Sequence, residues 1–316
     1  MSVLMRLLPW LQLCRAANLF TAWGDCLVGY WLMHDPGPGA GFTALWPGPL
    51  LLLLLASSCL YLAGMVWNDY FDRAVDAIER PQRPIPSGRI SAAAAQRLGL
   101  GLITAGLLAA AGVSLHSLLT AGGLVAAIFL YDAWAKQHWF GPLVMGSCRS
   151  ANLLLGASAP THFVTTWTEL PTWETYFFPI QLAVALGIYI AGVTWFAKRE
   201  AGRSSLLPLV FGLVVADLGL GLLIARAATW PLVANRGLYA VLLLSMVAIS
   251  INRRALAALQ DPGPRPVQLT VKMMLLSLLF IDGALLLLVA PSIVPAIVCV
   301  LLIVPTLLLA RVLAVT

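Results

Sequence analysis

Four of the chain's 13 acidic residues, Asp69, Asp72, Asp76 and Glu79, crowd into one short stretch. On a helix running through it, Asn68, Asp72 and Asp76 recur every four residues and share a face with Asp69. Like charges at that spacing repel by a few tenths of a kcal/mol per pair, so the cluster adds nothing to the helix. A cation that offsets the repulsion is the chemical reading. Oxygen-only donors suit a hard ion, Mg²⁺ before Zn²⁺, and Mg²⁺ combines one or two carboxylates with substrate phosphates. Arg80 and Arg83 follow at once and are suited to gripping those phosphates. Pro81, Pro84 and Pro86 make the intervening loop stiff and non-helical. The plain alternative is a solvated loop whose acids pair with neighbouring arginines.

The elements that carry these residues follow from composition. Of 316 residues, 60% are hydrophobic and only 10% are charged, against about 25% charged in soluble domains. Mean hydropathy is +0.91. A soluble globular enzyme, a disordered chain and a disulfide-built secreted domain are excluded, leaving a membrane protein with many spans. The apolar runs are long and unbroken, so the spans are helices rather than barrel strands. They are expected at 13–33, 48–67, 92–115, 117–134, 142–160, 176–197, 205–225, 233–252, 269–290 and 292–312, which is ten, or nine if a segment at Pro291-Ser292 is re-entrant. The expected fold is a single all-α polytopic bundle over residues 1–316. No cleaved leader and no internal repeat are evident. Cys14, Cys26, Cys59, Cys148 and Cys299 form no C-x-x-C pair and read as buried small hydrophobes.

Basic residues orient the bundle. Sixteen of the 19 Lys and Arg fall at one end under the ten-span count, and only Arg226 and Arg236 at the other, with Arg149 inside span five. The positive-inside rule puts the even-numbered connections in the cytoplasm. The net charge of +6 therefore needs no nucleic-acid partner; anionic lipid headgroups or an anionic substrate suit it. Ionisable residues inside spans usually face an interior. Arg149 and Asn152 share a face of span five and are read as part of a site. Asn18 and Asp25 share a face of span one. For Asp25, Asp217 and Asp282, hydrogen bonding between helices is an equal reading.

The string from Asn68 to Ser91 resembles the first signature of the UbiA superfamily of intramembrane prenyltransferases, N-D-x-x-D-x-x-x-D followed by R-P-x-R-P-x-x-x-G. Both halves match, after the second helix. The resemblance implies a UbiA-like bundle around a central cavity open to the cytoplasmic side. It also implies that Asn68, Asp72, Asp76 and Arg83 bind Mg²⁺ and a prenyl diphosphate, with Asp69 a further member. Tyr131, Lys136 and Phe140-Gly141-Pro142 resemble a second family segment, with Gln137 where arginine is usual. Lys136 is read as a phosphate contact or an ordinary positive-inside lysine. Asn18 resembles a position near the diphosphate. Residues 146–156 look most like the EboC-like branch, which implies a small polar acceptor. The family's second acidic motif is absent: the region reads Thr194-Trp195-Phe196-Ala197-Lys198-Arg199-Glu200. Either Lys198 lends charge to the diphosphate, or Glu200 holds a weaker ion, or the activity has changed; Lys198 and Arg199 as plain membrane anchors is the competing reading.

The implied activity is Mg²⁺-dependent transfer of a prenyl group to an acceptor within a bacterial inner membrane. A terpene cyclase on the same fold is the close variant. A transporter or lipid-binding protein would predict inverted repeats and broken helices, and the sequence contains neither.

Overall fold

The computed structural model describes residues 3–34, 46–160, 173–198, 202–230 and 235–314. Arg199 and Glu200 lie outside the described residues. Among the described residues, twelve α-helices follow one another: α1 (Val3–Leu13), α2 (Leu19–Met33), α3 (Gly48–Glu79), α4 (Ala92–Ala111), α5 (Leu115–Ala133), α6 (Gly141–Ala157), α7 (Trp173–Ala197), α8 (Leu206–Ala228), α9 (Arg236–Gln260), α10 (Pro264–Val289), α11 (Val294–Leu301) and α12 (Ile303–Ala314). No strand occurs among the described residues. Among the described residues, eight segments, α11 and α12 counting as one, are long and apolar enough to cross a membrane. Helices α2 and α6, with 15 and 17 residues, are shorter.

Start and stop chemistry explains most boundaries. Pro49, Pro142, Pro264 and Pro295 stand in first turns, where the missing N–H removes no helix bond. Ser91 and Ser114 cap α4 and α5 by accepting from the Ala94 and Ser117 backbone N–H groups, the usual role of an N-cap hydroxyl. Helix α3 has 32 residues, about 48 Å at 1.5 Å per residue, so it outruns a ~30 Å hydrocarbon core. Its last three turns carry the acidic cluster. It stops at Arg80, which precedes Pro81 and adopts φ −142°, as the residue before a proline tends to do.

The first expected span, 13–33, is corrected: the chain turns at Cys14–Asn18 between α1 and α2. Arg15 sits there in the left-handed region, φ 45° and ψ 46°. Continuous hydropathy gives no warning of such a turn.

Glycines let the inner helices meet at backbone distance. A Cβ on Gly29 would collide with the Leu153 carbonyl oxygen, and one on Gly156 with that of Cys26. Close approach through small residues is how membrane helices gain packing where lipid offers no hydrophobic drive. Hydrogen bonds between connections sort them into two ends. At one end, Arg89 bonds Gln12, Gln12 bonds the Leu313 carbonyl, Lys198 bonds the His138 carbonyl, and Ser204 N–H bonds the Pro262 carbonyl. At the other, Ser114 and Ser117 bond the Ser158 carbonyl, His34 meets the Pro160 carbonyl, and Arg236 bonds the Ala290 carbonyl.

Candidate active site at the end of α3

The acidic face expected from the spacing is present, because α3 runs unbroken through Glu79. What faces it is a set of cations drawn from three other parts of the chain. Arg15 Nη2 lies 2.9 Å from Asp69 Oδ1 and 3.1 Å from Asn68 Oδ1. Arg83 Nη1 lies 2.6 Å from Asp76 Oδ2 and 3.2 Å from Asp69 Oδ1. Lys136 Nζ makes an ion pair with Asp72 Oδ1 at 2.5 Å. Asn68 Nδ2 donates to Asp132 Oδ1 at 3.0 Å. The Asn68 amide thus bridges a guanidinium and a carboxylate, which fixes its orientation.

Four carboxylates and three cations therefore alternate across one small region. Asp69, Asp76 and Asp132 are buried, while Asp72 and Lys136 are partly open. Burial works against the charge on Arg15, but Asp69 and Asp132 outweigh it and hold the guanidinium above its ordinary pKa. Arg15 therefore remains a fixed positive charge.

Arg15 and Asp132 are the members that the sequence reading missed. Both had a signal: each is an ionisable residue within an expected span, and Asp132 stands beside Tyr131 and four residues before Lys136. Tyr131 is half-buried in the same region, within electrostatic range of Asp132, Asp72 and Arg15.

The acids Asp69, Asp72 and Asp76, expected as metal ligands, each meet a cation, and Arg83 joins Asp69 to Asp76. Among the described residues, no three His, Cys, Asp or Glu converge as a metal cage. The donors on offer are oxygens, which fit Mg²⁺, and Mg²⁺ draws much of its coordination from phosphates and water rather than from an all-protein cage. The residues present therefore fit such an ion arriving with a phosphate ligand.

The contacts of three other expected site residues are of a different kind. Lys198 is exposed at the end of α7, with Nζ 3.4 Å from the His138 carbonyl, which is the geometry of an anchor on the α5–α6 connection. Arg80 caps α3, its backbone N–H bonding the Asp76 carbonyl. Asn18 is exposed at the start of α2, its carbonyl accepting from Thr21 Oγ1.

Arg149 and Asn152 do act together, as their spacing on α6 implies. Arg149 Nε is 3.1 Å from Asp25 Oδ2, and Asn152 Nδ2 donates to the same oxygen at 3.0 Å. Ser57 Oγ donates to Asn152 Oδ1 at 2.7 Å. Tyr61 on α3 lies within electrostatic range of both Arg15 and Arg149. Ser57, Tyr61, Asn68 and Asp72 share one face of α3, which gives a polar column from the site toward this deeper group. Between α3 and α5, Trp67, Tyr70, Phe71 and Phe129 form an aromatic cluster with ring centroids 5.0–6.3 Å apart. Farther along α3, an apolar cavity of about 340 Å³ is lined by Trp23, Leu27, Leu54, Leu55, Val298 and Leu302.

The family model described as UbiA prenyltransferase family matches residues 22–279. Digeranylgeranylglyceryl phosphate synthase of Sulfolobus acidocaldarius is 25% identical over 251 residues, covering 77% of this chain and 84% of that protein. The same-named protein of Sulfurisphaera tokodaii is 29% identical over 146 residues, 45% of this chain, so the match spans about half of that relative, 52% of its length. Protoheme IX farnesyltransferase 1 of Paramagnetospirillum magneticum is 29% identical over 214 residues, 63% of this chain and 66% of that one. Among solved structures, a UbiA homolog from Aeropyrum pernix in its apo form superposes with TM-score 0.66 at 19% identity, over 84% of this chain and 96% of that one. One from Archaeoglobus fulgidus bound to DMAPP and Mg²⁺ gives 0.57 at 15% identity, over 84% and 97%. At these identities the superpositions speak for the fold.

Proposed function

This chain belongs to the UbiA prenyltransferase family, and we propose that it transfers a prenyl group from a prenyl diphosphate to a small polar acceptor inside a bacterial cytoplasmic membrane. The observation that carries the reading is the alternation of Asp69, Asp72 and Asp76 with Arg15, Arg83 and Lys136. Carboxylates with adjacent cations complement a divalent ion that arrives with a diphosphate, and each group in the array would have a role toward that ligand. Asp72 and Asp76, with Asn68 and Asp69, would hold Mg²⁺. When bound, the ion supplies positive charge against the departing pyrophosphate. Arg83 and Lys136 release their carboxylates and turn to phosphate oxygens, replacing one anionic partner by another. Arg15 keeps Asp69 and Asn68 in place.

In the transfer, the allylic C–O bond to the diphosphate breaks and pyrophosphate leaves with the bonding electrons. A new bond forms from an acceptor oxygen or carbon to the prenyl carbon, and the acceptor's proton departs. The Trp67–Phe71–Phe129 cluster offers π faces to positive charge developing on the prenyl group. The surrounding apolar wall keeps water from intercepting it. The apolar cavity between α2, α3 and α11 lies ~16 Å along α3 from Asp69, counted over eleven residues from Ser58, and takes the isoprenoid tail. The relatives named above differ by name in what they make, so the acceptor reading rests on the polar column of Tyr61, Arg149, Asn152 and Ser57. The EboC-like branch belongs to the same proposal.

The test is purified protein with geranyl or geranylgeranyl diphosphate, Mg²⁺ and a bacterial lipid and metabolite extract. Pyrophosphate release and mass spectrometry of products are followed together. A prenylated polar product that requires Mg²⁺ is expected. A cyclic hydrocarbon formed without the extract would identify a cyclase instead. No Mg²⁺-dependent release with either diphosphate would overturn the reading.

A further inference from the structure

Behind Arg149 the bundle buries more negative charge than it neutralises. Asp25 on α2 and Asp282 on α10 are both fully buried, at 0% exposure. Asp25 has Arg149 and Asn152 as partners through Oδ2, while its Oδ1 has none. Asp282 has no hydrogen-bond donor on either oxygen. Asp282 Oδ2 lies against Gly24, the residue next to Asp25 on α2, which brings the two carboxyls into one buried group. A Cβ on Gly24 would collide with Asp282 Oδ2, so Asp282 is pressed against the α2 backbone.

As carboxylates, both groups are acceptors only. Two neighbouring acceptors without a donor between them repel, and an uncompensated carboxylate is strongly disfavoured in a membrane interior. Every neighbour that could relieve it can be named. From α6 come Arg149 and Asn152, both committed to Asp25. From α3 comes Ser57, whose hydroxyl is donated to Asn152. From α7 comes Tyr189, whose hydroxyl is donated to the Met274 carbonyl. From α11 comes Cys299, whose thiol is directed at the Leu279 carbonyl. From α2 itself comes Cys26, buried beside Asp25. One cation serves two acids, and no spare donor among the described residues reaches Asp282.

We propose that Asp25 and Asp282 hold a single proton between them, forming a proton-binding site in the membrane interior. One of the pair is a carboxylic acid that donates to the other, which remains the carboxylate partner of Arg149. The proton converts an acceptor–acceptor clash into a hydrogen bond and makes the Asp25, Asp282 and Arg149 group neutral. A metal ion is a poorer occupant: Asp282 Oδ2 already abuts the α2 backbone, and the nearest carboxylate, Asp25, is already taken by a guanidinium. The site is independent of the prenyl-transfer reading, since it needs no substrate.

Infrared spectroscopy of the full chain in lipid tests this. Aspartate carrying ¹³C at the carboxyl identifies Asp bands by their isotope shift. The background is an Asp132→Asn, Asp217→Asn double variant, which removes the two other buried or half-buried acids whose donor is an asparagine amide. A protonated-carboxyl C=O band that persists through neutral pH and shifts in ²H₂O is expected there. Asp282→Asn should abolish that band yet retain the thermal midpoint, because the amide still donates to Asp25. Asp282→Leu, which cannot donate, should lower the midpoint. Absence of any protonated-Asp band would overturn the proposal, as would a band that survives in both D282N and D25N. Should neither dyad variant fold, the double-variant background decides alone by showing or lacking the band.

Discussion

Asp72 is the member of the acidic face whose role separates most cleanly from folding. Its side chain is 29% exposed and its one charged partner, Lys136, is 15% exposed, so an Asp72→Ala protein keeps its buried contacts. Hydrogen bonds to charged groups contribute about 1.5–3 kcal/mol, and if Asp72 holds Mg²⁺ as proposed, its loss should weaken Mg²⁺-dependent geranyl diphosphate binding at least tenfold by calorimetry. An unchanged affinity with the fold intact would remove Asp72 from the site. Lys198 makes the opposite case. It is exposed and touches only the His138 carbonyl among the contacts described, and surface substitutions of that kind shift energies by roughly ±0.5 kcal/mol. Lys198→Ala should therefore leave geranyl diphosphate affinity within about twofold; a tenfold loss would instead return Lys198 to the diphosphate.

Helices α2 and α6 act as one clamp on the deeper polar group, because Gly29 and Gly156 bring their backbones together where Asp25 meets Arg149 and Asn152. Gly156→Ala would drive a methyl into the Cys26 carbonyl, and overpacking of this kind costs typically about 1–3 kcal/mol. A lower thermal midpoint is expected, with the largest loss of hydrogen-exchange protection in α2 and α6. A protein as stable as the parent would show that the helices can move apart without penalty. The 80–91 connection is a different device. Gly88 holds φ 73°, with open space where a Cβ would project, so strain rather than collision decides the outcome. Gly88→Ala should cost about 1–2 kcal/mol, the left-handed penalty for an L-residue, read as a lower thermal midpoint. It should also loosen Arg83, since Ser87 N–H bonds the Arg83 carbonyl and Ile90 N–H bonds that of Pro84.

The bundle as a whole was legible wherever the determining pattern was local. Apolar runs marked the spanning helices, and the Asn68, Asp72, Asp76 spacing marked one face of α3 because helical periodicity alone places those residues. Arg15 and Asp132 were not legible as partners of that face. They lie 53 and 64 residues from Asn68, and nothing in their own surroundings says which helix they meet. The turn at Cys14–Asn18 was hidden for a related reason: it depends on a left-handed arginine held by a distant carboxylate. Charge distribution is also a whole-chain pattern, and it leads to the last prediction. The hydrogen bonds that tie Arg89 to Gln12, Lys198 to the 134–140 connection and Ser204 to Pro262 gather the basic connections at one end. The Ser114–Ser158 and Arg236–Ala290 bonds gather the sparsely charged ones at the other. Positive residues are retained on the cytoplasmic side during insertion, so the site end should face the cytoplasm. Single cysteines replacing Ser87 and Gly202, both exposed, should resist an impermeant maleimide added outside intact cells and react after lysis. A cysteine at Thr229, exposed at the opposite end, should react from outside without lysis. Labelling of position 87 in intact cells, with 229 protected, would invert the bundle and place the acidic face of α3 outside the cytoplasm.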